Sequence, residues 1–586
     1  MRKFSLAKLV TLLLWAASPQ TTLADERPNV LLILGDDMGF ADIGPFGSEI
    51  ETPTLDALAS EGLKFTNFRA TPVCSVSRSE ILTGANNIQV GLAAFDYAVY
   101  PDAAGKPGYE GYLTDNAVTI AQLLQDAGYN TYTTGKWHSG HPTRNTGRGP
   151  NAWGFDRSYG IYVGGSNHWN QEVMLPDSKD PETAEAIKNG QIPKISQEEF
   201  HEDDKLVTRP EGVYSNNLYT SKMIEFLKEG QETGKPFFAY MAFTTAHFPI
   251  QAPNDLIDKY YDMYLKLGYE GLREQRYASL IKHGVISQSA NYHDGKADNS
   301  DNLVVPWSSL SEDQQKYQAR IMATYAAMID SQDQHIQKLF DYLESVDELD
   351  NTLVVYLTDN GPEGTDFRGK LSNPLLSKWV EANYDQSLEA IGSEQALWQI
   401  GTTWANASTG VLTFWKAYVS EGGVRVPFMI KPPAGYEFPN AGQSTNAVAS
   451  IKDVPMTILD YAGVEAEGKR YEAPNKVKPT GVSMRGFLEG KKDHVRTEDQ
   501  WVAFELFGNT YVVKGNHKAV RIRTGMFGSG EWHLYDIVAD PGETTPLEDK
   551  FPDKLEELKA IYQSYADEMG IIQVAEDWNP WTVVGK

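Results

Sequence analysis

Two apolar runs that lie far apart in the chain end in the same way. Val30-Leu31-Leu32-Ile33-Leu34 breaks at Gly35-Asp36-Asp37, and Leu353-Val354-Val355-Tyr356-Leu357 breaks at Thr358-Asp359-Asn360-Gly361. Unbroken five-residue apolar runs read as strands buried on both faces, which requires helices packed on both sides of a sheet. The intervening sequence supplies them. Residues 54–62 and 119–127 have helical spacing with Gly62 and Gly128 as stops, and 314–345 is the longest helical pattern. Residues 129–134 and 237–243 read as further strands, delivering Gly135-Lys136-Trp137-His138 and His247. This alternation predicts an α/β fold. The polar stretches 166–215 and 285–310 read as surface loops. Gly490-Lys491-Lys492-Asp493-His494 reads as a linker, dividing a body over 25–490 from a smaller unit over 491–586. In that unit short strands at 501–506, 510–514, 517–523 and 531–536 precede a helix over 553–568, a C-terminal antiparallel sheet with one covering helix.

Charge and cysteine usage narrow the class. The 586 residues carry 52 Lys+Arg against 79 Asp+Glu, a formal charge of −27. That acidity argues against nucleic acid as a partner. One cysteine, Cys74, excludes an intrachain disulfide framework and any multi-cysteine metal cluster. Arg2, Lys3 and Lys8 precede a short apolar stretch over 9–17, and Thr22-Leu23-Ala24 offers small residues for cleavage. Residues 1–24 therefore read as a secretory signal, placing the mature chain in the periplasm or medium. No later stretch is long and apolar enough for stable membrane insertion.

Three groups of residues carry chemistry. In parallel sheets, sites gather at the carboxyl ends of strands, so Asp36, Asp37, Asp359 and Asn360 are expected to converge as an all-oxygen site for Ca²⁺ or Mg²⁺. Each cluster alone reads rather as a turn or helix cap, and it is the two together that point to a metal. Next, Ser77 and Glu80 have capping-box spacing, which predicts a helix start with Cys74 just before it and Arg78 one turn along. Such a cysteine is reactive, or it is simply a small buried hydrophobe. Last, Lys136 and His138 share a strand end, His247 follows another strand, and Lys416 precedes Glu421-Gly422-Gly423. Metal, nucleophile, cations and an acid–base pair together suit sulfate or phosphate transfer.

With these segments, together with Thr52-Pro53-Thr54-Leu55-Asp56, Leu82-Thr83-Gly84, Ala246-His247-Phe248-Pro249, Leu534-Tyr535-Asp536 and Asp540-Pro541-Gly542-Glu543, the chain resembles the formylglycine-dependent sulfatases of the alkaline phosphatase superfamily. The resemblance is closest to bacterial arylsulfatases and covers about residues 27–570. It implies an alkaline phosphatase-like α/β fold with a large mixed central sheet flanked by helices. It implies that Cys74 is converted to formylglycine by a maturation enzyme, and that the hydrate attacks sulfur beside one Ca²⁺ per chain, with Mg²⁺ the lesser expectation. Asp36, Asp37, Asp359, Asn360 and the modified Cys74 would be its ligands. Lys136 and Lys416 would neutralise sulfate oxygens, Arg78 would hold the hydrate, His247 would protonate the leaving group, and His138 would assist release of sulfate. The departures are Val76, where the family motif has Pro or Ala, and Ser139, where Leu is common.

The expected activity is hydrolysis of an organic sulfate monoester, a small aryl sulfate or a sulfated saccharide. Phosphonate monoester or phosphodiester hydrolysis is the enzymatic alternative, and an unmodified, catalytically silent binding protein the other. Removing residues 1–24 takes three cations and no acid, leaving 49 Lys+Arg against 79 Asp+Glu. A polyanionic substrate then needs salt screening, and in brine the Debye length is about 4–5 Å. Trp153, Tyr159, Tyr162, His168 and Trp169 read either as an aromatic wall beside the site or as ordinary packing. Nothing in the sequence points to a particular oligomeric state.

Overall fold

The run 30–34 forms the middle of the strand Asn29–Gly35, all seven residues of which are buried. The strand lies between Thr352–Thr358 on one side and Phe237–Ala242 on the other, parallel to both, with Leu32 opposite Val355 and Tyr240. The computed structural model describes residues 27–580 apart from 96–97, 143–146, 172–177, 190, 192–198, 292–303 and 369–373. The leader expected over residues 1–24 lies outside the described residues.

Outward from Phe237–Ala242 the sheet continues in parallel through Asn130–Lys136 and Arg157–Ile161. The antiparallel pair Phe200–Glu202 and Lys205–Val207 completes that edge. On the other side Phe428–Lys431 runs antiparallel to Thr352–Thr358, and Leu63–Phe65 and Ser444–Thr445 follow it. The result is a ten-stranded mixed sheet among the described residues. Alternate residues of its central strands face two separate cores: Leu31 and Ile33 pack with the helices Ser215–Gln231 and Glu312–Ser345, whereas Val30, Leu32 and Leu34 pack with Cys74–Thr83 and Ile120–Asp126. That is the period-2 burial of a sheet covered on both faces, so the α/β expectation holds. Among the described residues, no helix is long and apolar enough to cross a membrane.

The C-terminal strands Val502–Leu506, Asn509–Lys514, His517–Arg521 and Trp532–Asp536 form an antiparallel sheet. One face, with Ala503, Val512, Ala519 and Leu534, is covered by Leu558 and Tyr565 of the helix Pro552–Met569. The other face sets Phe504, Tyr511 and Val513 against Val73, Val76, Val419 and Val424.

The expectation of a surface loop over 166–215 is corrected. This stretch contains the helix Pro181–Lys188 and the two edge strands, and it buries His168 and Arg209. Arg209 donates to the carbonyls of Asn167, His168, Asn170 and Val213. Its polar composition thus serves internal hydrogen bonding rather than solvent. Over 285–310, Val285, Ile286 and Ala290 are buried and Trp307 packs on Trp404; residues 292–303 lie outside the described residues.

Candidate active site

The carboxyl ends of the parallel strands converge, as their sequence ends suggest. Ligand atoms of Asp36, Asp37, Cys74 and Asp359 all lie within 4.8 Å of one another, and all four residues are buried. Asp37 turns the chain at φ +59, a conformation aspartate tolerates better than most residues. Its backbone N–H donates to Asp359 Oδ1 at 3.2 Å. Asn360 Nδ2 donates to Asp37 Oδ1 at 2.7 Å and to the Gly361 carbonyl at 2.8 Å. Asn360 Oδ1 is buried with no hydrogen-bond partner, which in a native interior calls for an explanation.

A hard cation supplies one. Burial and the neighbouring Asp359 push the Asp36 carboxyl up to about 8, against the pull of Lys136 and Arg78. With Glu363 the cluster sets four carboxylates against the three cations Arg78, Lys136 and Lys416, and an orphaned amide oxygen lies among them. The donor set fits a divalent ion with oxygen preference.

The cations are arranged around this cluster. Arg78 Nε and Nη2 donate to Asp359 Oδ2 at 3.1 and 2.8 Å, and Nη1 donates to the Lys136 carbonyl at 2.7 Å. Lys136 Nζ lies 2.7 and 2.9 Å from the Asp36 oxygens. Lys416 Nζ lies 2.7 Å from Asp37 Oδ2 and 3.1 Å from Glu363. His247 directs Nε2 to within 3.5 Å of Asp37 Oδ2, while Nδ1 meets the Phe248 carbonyl at 2.7 Å. Burial, then Lys136 and Lys416, hold His247 well below the usual imidazole range. Burial, then Lys136 and Arg78, do the same for His138, whose Nδ1 is buried without a partner. The carboxylates, Asn360, Cys74, Arg78, Lys136, Lys416 and His247 singled out from sequence are thereby brought together.

The start of the helix is corrected. It runs Cys74–Thr83 with Val73 at its N-cap, so Cys74 occupies the first helical position rather than the residue before the helix. The capping box does not form. Ser77 instead donates to the Asp359 carbonyl at 2.5 Å, and Glu80 accepts from the Asn87 N–H. Cys74 Sγ lies 3.5 Å from Asp37 Oδ1. Burial and Asp37 push its thiol well above the ordinary range, so the unmodified side chain stays protonated and poorly nucleophilic.

The packing reading holds for most of the aromatic group: Trp153, Tyr159, Tyr162 and His168 are buried. His168 nonetheless supports the site, with Nε2 3.3 Å from the His247 carbonyl and Nδ1 2.8 Å from Ser215 Oγ. Sequence reasoning missed Glu363, although it follows directly on Asp359-Asn360-Gly361-Pro362. It also missed Gly164-Gly165. A Cβ on Gly164 would lie 2.9 Å from the His138 ring, and one on Gly165 2.8 Å from the His247 ring. The absence of side chains there lets this loop approach both imidazoles.

The sulfatase family's sequence pattern matches residues 28–464. The chain belongs to the sulfatase family. It is 34% identical over 564 residues to an uncharacterized sulfatase of Schizosaccharomyces pombe, covering 94% of this chain and 96% of the relative. It is 33% identical over 506 residues to the arylsulfatase of Klebsiella aerogenes, covering 85% and 99%. The structure of Ps i-CgsB in complex with k-i-k-neocarrahexaose superposes with a TM-score of 0.61 at 21% identity, over 92% of this chain and 93% of that one. This sulfatase therefore has the alkaline phosphatase-like fold and is a sulfuric ester hydrolase. Its family is metal-binding and formylglycine-dependent.

Gly165→Ala would displace the His247 ring. The expected result is a fall in kcat/KM for nitrophenyl sulfate on the order of 10–100-fold with the melting temperature little changed. A wild-type rate would show that the ring is not held by this contact.

Proposed function

We propose that the protein is a secreted or periplasmic arylsulfatase-type enzyme that cleaves the S–O bond of sulfate monoesters, using formylglycine made from Cys74. The observation that carries this reading is the joining of Cys74, at the first turn of a helix, to three carboxylates, an orphaned amide oxygen, two lysines and two histidines. Cys74 is 1% exposed, so the maturation enzyme must act before the chain folds. Val76, also fully buried, faces the C-terminal sheet in the folded protein.

Asp36, Asp37, Asp359 and Asn360 would hold the metal, with matured Cys74 beside them. Four protein oxygens in one buried cage favour Ca²⁺ over Mg²⁺, which usually keeps several waters. When bound, the ion would polarise oxygen ligands as a Lewis acid. Lys136 and Lys416 set two positive charges against the cage carboxylates Asp36 and Asp37 and would bind the sulfate oxygens. Arg78 orients the Cys74 side through Asp359. His247 presents Nε2 to the site, and an anionic ester opposite would offset Lys136 and Lys416 and favour its protonation, as a proton donor to the leaving oxygen requires. His138 would take the proton as sulfate leaves.

For the leaving group, Phe248 stacks on His247 at 4.5 Å and meets Phe367 edge-on at 5.3 Å. Such half-buried rings suit a phenyl group or the face of a sugar. A saccharide sulfate as the natural substrate class is further supported by the carbohydrate complex of the neighbouring structure.

Wild-type enzyme is expected to turn over nitrophenyl sulfate faster than a phenylphosphonate ester; the reverse order would assign it to phosphonate hydrolysis. His247→Ala is expected to hurt alkyl sulfates more than nitrophenyl sulfate, since good leaving groups need less protonation. Equal losses would remove His247 as the acid. Chelation should abolish turnover and lower the melting temperature. Calcium restored to about 100 times its Kd should return about 2.7 kcal/mol of stability. Melting and turnover both unchanged after verified metal removal would exclude the proposed site.

A further inference from the structure

Lys416 is delivered by residues 413–420, a stretch without helix or strand. Two non-glycine residues within it, Phe414 and Ala417, hold left-handed backbone at φ +60 and +72. Such backbone persists only where its surroundings over-determine it. On the active-site side two hydrogen bonds serve: Lys416 N–H to the Pro362 carbonyl at 3.1 Å, and Ala417 N–H to the Pro72 carbonyl at 2.7 Å.

Within the segment the Gly422 N–H donates to the Thr413 carbonyl at 2.9 Å, and further ties come from the C-terminal part of the chain. Thr413 Oγ1 donates to the Gly542 carbonyl at 2.5 Å, and the Glu421 N–H donates to Glu543 at 2.9 Å. Lys518, on the strand His517–Arg521, is fully buried. Its Nζ lies 2.8 Å from the Val419 carbonyl, 2.9 Å from Glu421 and 2.8 Å from Glu543. Glu421 is paired in addition with Arg69 at 2.6 Å and Arg425 at 3.6 Å. Both ends of the Lys416 segment are thus fastened to the turn 540–543, and Lys518 lies at their junction. Ala417 and Val419 pack against the same C-terminal sheet as Val73 and Val76 beside Cys74. One buried, charge-assisted junction therefore registers Lys416 against the residue that carries the nucleophile.

We propose that Lys518, Glu543 and the Thr413–Gly542 bond are positioning elements for Lys416, so that the C-terminal sheet shapes the sulfate-binding site without touching substrate. The proposal rests on the role given above to Lys416. None of these groups lies on the metal cage, and each acts through the backbone of 413–421.

The test is a double-mutant cycle on full-length matured enzyme with nitrophenyl sulfate, with melting temperature and bound metal measured for each variant. Lys518→Met is expected to lower kcat/KM by about tenfold or more, about 1.4 kcal/mol of transition-state stabilisation per decade, with metal content retained. Lys416→Ala is expected to lose at least as much, and adding Lys518→Met to it should bring no further loss. Thr413→Val removes one hydroxyl at nearly constant volume and covers the case in which Lys518→Met fails to fold. It should show a smaller loss, again absent in the Lys416→Ala background. Losses that multiply in the double variants, or wild-type kcat/KM in both Lys518→Met and Thr413→Val, would overturn the positioning role. Wild-type turnover in Lys416→Ala would instead overturn the role of Lys416 itself, and the proposal with it.

Discussion

The guanidinium of Arg78 holds the site in register. It is fully buried, forks onto Asp359 through Nε and Nη2, lies 3.5 Å from Asp36, and reaches the Lys136 carbonyl with Nη1. One planar group therefore ties together the ends of three separate strands. Arginine suits this place because it stays charged and presents its donors in a fixed plane. Breaking a buried pair by deleting one partner costs about 3–5 kcal/mol, so the carboxylates that gather here depend on it. Arg78 also lies one turn after Cys74 on the same helix, and the geometry of that helix thereby fixes the cysteine relative to the cage.

The same balance explains why so much charge tolerates burial. Lys136 compensates Asp36, Lys416 bridges Asp37 and Glu363, and Lys518 with Arg69 compensates Glu421. Burial opposes ionisation of Glu421, and Arg69, Lys518 and Arg425 outweigh it, holding the carboxyl down at about 2. Asp36 lacks an equivalent surplus and is pushed up. In the cage a divalent cation would correct this imbalance.

The parts of the fold that were legible in the sequence are those whose burial is uniform. The runs 30–34 and 353–357 read as strands buried on both faces, and their acidic ends mark the site. The C-terminal strands were legible because their residues alternate between the covering helix and the body. The stretch 166–215 was not, because polar residues such as Arg209 meet backbone carbonyls inside the protein, and composition does not distinguish that from solvation. The start of the helix at Cys74 was hidden for a related reason: Ser77 is drawn away from its local capping partner by the distant Asp359 carbonyl. Glu363, Gly164 and Gly165 act through contacts that only the folded chain creates.

Turnover by this site requires that the buried thiol of Cys74 be replaced by an aldehyde despite Val76. The direct measurement is the mass of the tryptic peptide running from Ala70 to Arg78, from protein produced in its native host. A formylglycine enzyme yields a peptide in which one sulfur and two hydrogens of Cys74 are replaced by one oxygen, and which reacts with carbonyl reagents. A peptide of unmodified mass, its thiol fully alkylated after denaturing a preparation shown to be active, would contradict that requirement.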